Sequence, residues 1–132
     1  MDASPLPDEH KLLVVDDEPL MTELFRQYMT RRGFQVLVAT TGAEAIRIAG
    51  QEAGISLVMT DMTMPGMSGV QLAEALLTEL PGVPVMIATG HDASSGIEGM
   101  PTNVVAVVQK PFQNRDLIRN IRSILGLPAE SS

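Results

Sequence analysis

The sequence predicts an α/β domain: a doubly wound three-layer α/β/α sandwich of (βα)5 units with right-handed crossovers around a parallel sheet. Three observations predict it. Strand-length apolar runs alternate with segments of helical periodicity along the chain. Several of these runs are apolar on consecutive positions, as in Leu12-Leu13-Val14-Val15, which suits strands covered on both faces. The 132 residues, 45% of them apolar, are enough for one domain with a real core.

The first strand spans 11–16 and ends in Asp16-Asp17. Pro19 then suits the first turn of a helix, with Leu20, Met21, Leu24, Phe25, Tyr28 and Met29 tracing one face before Gly33 stops it. The second strand covers 34–39. Thr41 and Glu44 follow with capping-box spacing ahead of Ile46 and Ala49. The third strand, 55–60, runs into Asp61 and the turn Met62-Thr63-Met64-Pro65-Gly66. Ser68 and Gln71 repeat the capping-box spacing before Leu72, Ala73, Leu76, Leu77 and Leu80. After the fourth strand, 83–88, alternation asks for a helix in 90–103. Gly96, Gly99 and Pro101 work against it, so the expectation is a short, irregular or mobile one. The fifth strand is 104–109. The last helix turns Leu117, Ile118, Ile121, Ile124 and Leu125 inward and leaves Arg115, Arg119 and Arg122 as a separate stripe. Residues 1–10 read as a flexible leader and 127–132 as a flexible tail around a domain at 11–126.

Composition excludes several functions. A net charge of −7 argues against a nucleic-acid-binding face, which needs basic residues. With no cysteine there are no disulfides, thiolate metal sites or cysteine nucleophiles. The start of the chain lacks the basic and apolar regions of a signal peptide, and no apolar run reaches the roughly 18–20 residues of a membrane helix. A cytoplasmic protein is expected.

In an open parallel sheet, ligands bind outside the carboxyl ends of the strands, where strand order reverses. That rule gathers Asp16 and Asp17 after the first strand, Asp61 after the third, Thr89 after the fourth and Lys110 after the fifth. Three carboxylates brought together repel, which points to a cation bound between them. Met59, Met62, Met64 and Met67 read as core and turn packing rather than a soft-metal site. His10 and His91 are far apart and have no supporting ligands, which argues against zinc. The arginine stripe reads as a solvated face, with partner docking as the alternative.

Four segments, Val14-Val15-Asp16-Asp17-Glu18, Asp61-Met62-Thr63-Met64-Pro65-Gly66-Met67-Ser68-Gly69, Thr89-Gly90 and Gln109-Lys110-Pro111-Phe112, occur in the order and spacing of a known family. Through them the chain resembles, from about 11 to 126, the receiver domain of two-component response regulators and hybrid histidine kinases. The wording of the Met-Pro-Gly-Met-Ser-Gly, Ala-Thr-Gly-His and Lys-Pro-Phe segments is similar to receivers attached to hybrid kinases. The resemblance implies a flavodoxin-like sheet in the order 2-1-3-4-5. It also implies that Asp61 accepts a phosphoryl group from a phosphohistidine on a histidine kinase or histidine phosphotransfer protein. Mg²⁺ would be held by Asp17, Asp61, Asp16 through water, and the backbone carbonyl of Thr63. Lys110 would pair with phosphoryl oxygens, and Thr89 would hydrogen-bond another. The bond before Pro111 is typically cis in the family. The protein would catalyse only its own phosphorylation and dephosphorylation, and the 91–126 face is where a downstream effector would dock.

One departure stands out. Many receivers carry Tyr or Phe three residues before the lysine, and here that position is Val107. Val107 cannot swing a ring inward, so the signal is expected to travel through 91–103 instead. Thr63 and His91 occupy the positions that tune self-dephosphorylation in receivers, and neither is a strong water-orienting acid or amide. The alternative function is a degenerate receiver, a protein-interaction module that no longer uses phosphate. A flavin carrier would need a Ser/Thr/Gly-rich phosphate loop and aromatics, but the first loop is Asp-Asp-Glu-Pro and aromatics make up 3% of the chain. A small-molecule phosphatase would need a general acid where Thr63 stands. The chain reads as a stand-alone regulator or a receiver from a longer protein.

Overall fold

The computed structural model describes residues 10–90 and 96–128. Five strands, β1 (Lys11–Val15), β2 (Gln35–Ala39), β3 (Ile55–Asp61), β4 (Val85–Thr89) and β5 (Val104–Gln109), form one parallel sheet in the order β2-β1-β3-β4-β5. Among the described residues four helices cover it: α1 (Pro19–Thr30), α2 (Gly42–Gln51), α3 (Gly69–Glu79) and α4 (Asn114–Ile124). The strand order reverses between β1 and β3, so the crevice there is the place for a ligand.

Consecutive strand residues face opposite layers, and the core divides accordingly. Leu13, Val15, Val58 and Ile87 pack with Ala45 and Ala49 of α2 and with Leu72 and Leu76 of α3. Leu12, Val14, Leu57 and Met86 pack with Phe25 and Met29 of α1 and with Leu117, Ile118 and Ile121 of α4. This double burial is why the strands read as unbroken apolar runs rather than alternating ones.

Local signals position the helices. Pro19 occupies the first turn of α1, and Gly33, at φ 91°, ends the turn after it. Ser68 and Gln71 form a complete capping box on α3. On α2 only half of the expected box forms: Thr41 Oγ1 accepts from Glu44 N at 3.1 Å, while the Glu44 carboxylate accepts from Thr40 N at 2.8 Å rather than from Thr41.

The structure refines several expectations. Only Phe25 and Met29 of the six apolar α1 residues are buried, with Thr22 beside them, and Leu20, Met21 and Leu24 are exposed. Leu77 on α3 is exposed as well. The described part of the β4–β5 connection shows turns over 96–99, with Gly96 and Gly99 both at positive φ, in keeping with the irregularity expected of this segment; residues 91–95 lie outside the described part. Leu127, placed in the tail, is buried against the α1–α4 layer, its N–H donating to Arg122 O, and Pro128 O accepts from Arg122 Nε. His10, assigned to the leader, contacts Ser56 Oγ through Nδ1 at 3.2 Å. The leader and tail expectations for 1–9 and 129–132 concern residues outside the described part.

Candidate functional site

The carboxyl ends of β1, β3, β4 and β5 meet at one edge of the sheet. Asp61 is the last residue of β3, beside Ala88 of β4. Asp16 follows β1 directly and is tied to the sheet by its N–H, which donates to Ala39 O at 3.1 Å. One carboxylate oxygen from each of Asp16, Asp17 and Asp61 lies within 4.8 Å of the others. Asp17 is exposed, whereas Asp16 and Asp61 are half-buried. Lys110 reaches across from the end of β5, its Nζ 3.2 Å from Asp61 Oδ1 and 3.4 Å from Asp16 Oδ2. Thr89 ends β4 and is buried, and its carbonyl accepts from the Lys110 N–H at 2.7 Å.

Burial pulls the Lys110 ammonium down, but its hydrogen bond to Asp61 and the charges of Asp16 and Asp61 outweigh that and hold its pKa above the ordinary lysine value. Lys110 thus stays charged through the physiological range and offsets part of the acidic repulsion. A second group does the same locally: the Glu18 N–H donates to Asp16 Oδ1 at 3.0 Å, fixing one oxygen of that carboxylate. The sequence reading missed this contact, which depends on the turn between β1 and α1.

The β3–α3 loop carries the rest. The Met62 N–H donates to Ala88 O at 2.7 Å, and the Gly69 N–H donates to Met62 O at 2.8 Å. Between these anchors Thr63 is exposed, Met64 is buried and accepts a long contact from Thr60 Oγ1 at 3.8 Å, and Gly66 turns the chain at φ 84°. The methionines fill packing roles: Met64 belongs to the core, and Met62 and Met67 lie against it. The Lys110–Pro111 bond is cis, and Pro111 is exposed. Val107 is half-buried against the α2–α3 side of the core, as is Met100. His91 lies outside the described residues, as do the next four positions of the 91–103 segment.

A groove also went unread in the sequence. It has a volume of about 500 Å³ and is lined by residues of α1 and the β5–α4 connection, Met21, Leu24 and Phe112 among them, and by Asp16 and Lys110. Its signal was the unusual width of the apolar stripe on α1. No helix among the described residues is long and apolar enough to cross a membrane.

Residues 12–122 match the response regulator receiver domain. The chain belongs to this family. The receiver is 32% identical over 115 residues to the probable transcriptional regulatory protein TcrX of Mycobacterium tuberculosis, a match covering 86% of this chain and 49% of TcrX. It spans about half the length of the curated relatives it matches. Among solved structures, a receiver domain from Clostridium thermocellum superposes with a TM-score of 0.80 at 29% identity, over 89% of this chain and 94% of the other. The receiver domain of the hybrid histidine kinase CckA superposes with a TM-score of 0.75 at 30% identity, over 87% and 98%. The receiver therefore resembles domains of response regulators and of a hybrid histidine kinase, and it is a signalling domain of the two-component class.

Proposed function

We propose that the receiver takes a phosphoryl group from a phosphohistidine onto Asp61 and passes or displays the signal. The observation that carries this reading is the Lys110 ammonium held between Asp61 and Asp16 at the sheet edge, beside the buried Thr89. A carboxylate oxygen of Asp61 attacks phosphorus, the P–N bond to the donor imidazole breaks, and an acyl phosphate remains on Asp61. Phosphoryl transfer asks the protein for placement and charge neutralisation more than for covalent help. Lys110 would exchange part of its pairing with Asp61 for the arriving phosphoryl oxygens, and the Thr89 hydroxyl would donate to another.

The donor set suits Mg²⁺, since three clustered carboxylates are hard oxygen ligands and no nitrogen or sulfur ligand joins them among the described residues. Asp16, Asp17 and Asp61, together with the Thr63 carbonyl, would hold the ion. Bound there, it would neutralise charge between the acceptor carboxylate and the phosphoryl group. The donor is a histidine kinase or a histidine phosphotransfer protein in the cytoplasm, and the effector surface is the face formed from 96 to 126. Thr63 and His91 set the lifetime of the acyl phosphate.

Incubation with Mg²⁺ and phosphoramidate, followed by intact mass measurement, tests the reading. Wild type is expected to gain one phosphoryl group only with Mg²⁺, and Asp61→Ala none. No gain in a folded, Mg²⁺-binding wild type would favour the degenerate receiver instead, a reading to which the absent aromatic at Val107 lends some support.

A further inference from the structure

Gly42 and Gly69 both open helices, both are buried, and neither has positive φ, so conformational freedom does not explain glycine at either position. Space does, and in different ways. A Cβ on Gly42 would meet only side-chain atoms of Met67: Sδ at 2.6 Å, the far end of a flexible chain, with Cγ at 3.2 Å and the less mobile Cβ at 3.1 Å. A Cβ on Gly69 would collide with the Asp61 carbonyl oxygen and press on Met62 Cα at 3.1 Å and Asp61 C at 3.2 Å, all of it backbone. The Gly69 N–H meanwhile donates to Met62 O at 2.8 Å, while Met62 itself is tied to Ala88 O. The first turn of α3 thus rests directly on the backbone of the acceptor residue and closes the loop that carries Thr63.

We propose that Gly69 is a positioning residue for the metal-binding carboxylate and carbonyl. Its bare Cα lets α3 seat against Asp61, and that seat sets where the Asp61 side chain and the Thr63 carbonyl point. The proposal rests on Mg²⁺ being held by those groups. A side chain at Gly69 must push the β3 end and the helix apart, with no flexible neighbour to absorb the shift.

The test is Mg²⁺ titration of wild type, Gly69→Ala and Gly42→Ala, paired with thermal melts in EDTA. Both substitutions replace glycine with the best helix former at the same helix position, so helix propensity is matched. Gly69→Ala is expected to weaken Mg²⁺ binding about tenfold or more while still melting cooperatively without metal. Gly42→Ala stays within about twofold. Gly69→Ala binding Mg²⁺ as tightly as wild type would overturn the proposal. A wild type that binds no Mg²⁺ would instead defeat the reading of the site and this inference with it.

If Gly69→Ala does not fold, amide hydrogen exchange on wild type decides. Metal that binds only the seated loop must protect the Gly69 amide by about tenfold when Mg²⁺ is at ten times its Kd. The Leu80 amide, at the far end of α3, serves as the reference and should change less. Equal protection at both ends, or none at Gly69, rejects the proposal.

Discussion

Lys110 stands where its charge has two jobs. Paired with Asp61 and Asp16 it offsets their repulsion, and it is already within reach of a group arriving at Asp61. Its raised pKa has a definite sign in stability: the ion-pair contribution is complete below the ordinary value of 10.5 and is lost as pH rises through the higher folded value. Stability from this residue is therefore flat across neutral pH and falls only in strong alkali. NMR of the lysine ε-methylene should show a Lys110 midpoint above 10.5, and Asp61→Asn should lower it. A midpoint indifferent to Asp61→Asn would mean that the pairing does not hold in solution. The polar site residues were legible because each ends a strand-like run, and strand ends converge in a parallel sheet whatever the details of packing. Gly69 was legible only as one letter of a motif, because its reason lies in the approach of two backbones distant from any side-chain pattern.

Among the elements, α1 shows where pattern reading loses phase. At about 100° per residue, its six apolar positions span an arc of roughly 180°, wider than a single buried stripe. The sheet takes the side bearing Phe25 and Met29, and Thr22 joins them because its hydroxyl is satisfied by Pro19 O at 2.8 Å. Leu20, Met21 and Leu24 fall on the other side of the arc, at 70%, 48% and 51% exposure. Hydrophobicity alone could not say which half faces inward. Two substitutions separate the halves: Met29→Ala should cost about 2–5 kcal/mol in urea unfolding, as a fully buried large side chain. Leu24→Gln should stay within about 0.5 kcal/mol. Comparable losses at both positions would show that the exposed half is buried in solution by something else. The segment between β4 and β5 was read from the opposite kind of signal. Alternation argued for a helix and the glycines against one, and over the described residues the glycines prevail: Gly96 and Gly99 sit at φ 57° and 75°, outside any right-handed helix.

At the scale of the whole molecule, the fold was legible because doubly buried parallel strands leave a strong signature and the crossover rule admits few arrangements. The order β2-β1-β3-β4-β5 followed from family resemblance, since nothing in the apolar runs ranks one neighbour over another. That order has an energetic consequence. By placing β1 next to β3, it forces Asp16, Asp17 and Asp61 within 4.8 Å, and Lys110 answers only part of that charge. Unfolding separates the carboxylates, so a divalent ion that needs them together binds only the native state. Mg²⁺ at one hundred times its Kd should then stabilise the domain by about 2.7 kcal/mol. At roughly 4 °C per kcal/mol for a domain of this size, Tm should rise by about 10 °C over the value in EDTA. Sodium chloride at matched ionic strength should produce a smaller rise, because screening weakens repulsion without bridging the three carboxylates. Asp17→Asn should remove most of the Mg²⁺ increment while raising the Tm in EDTA, since it takes one charge out of the cluster. If Asp17→Asn kept the full increment, the ion would be stabilising the acidic surface at large and not the crevice between β1 and β3.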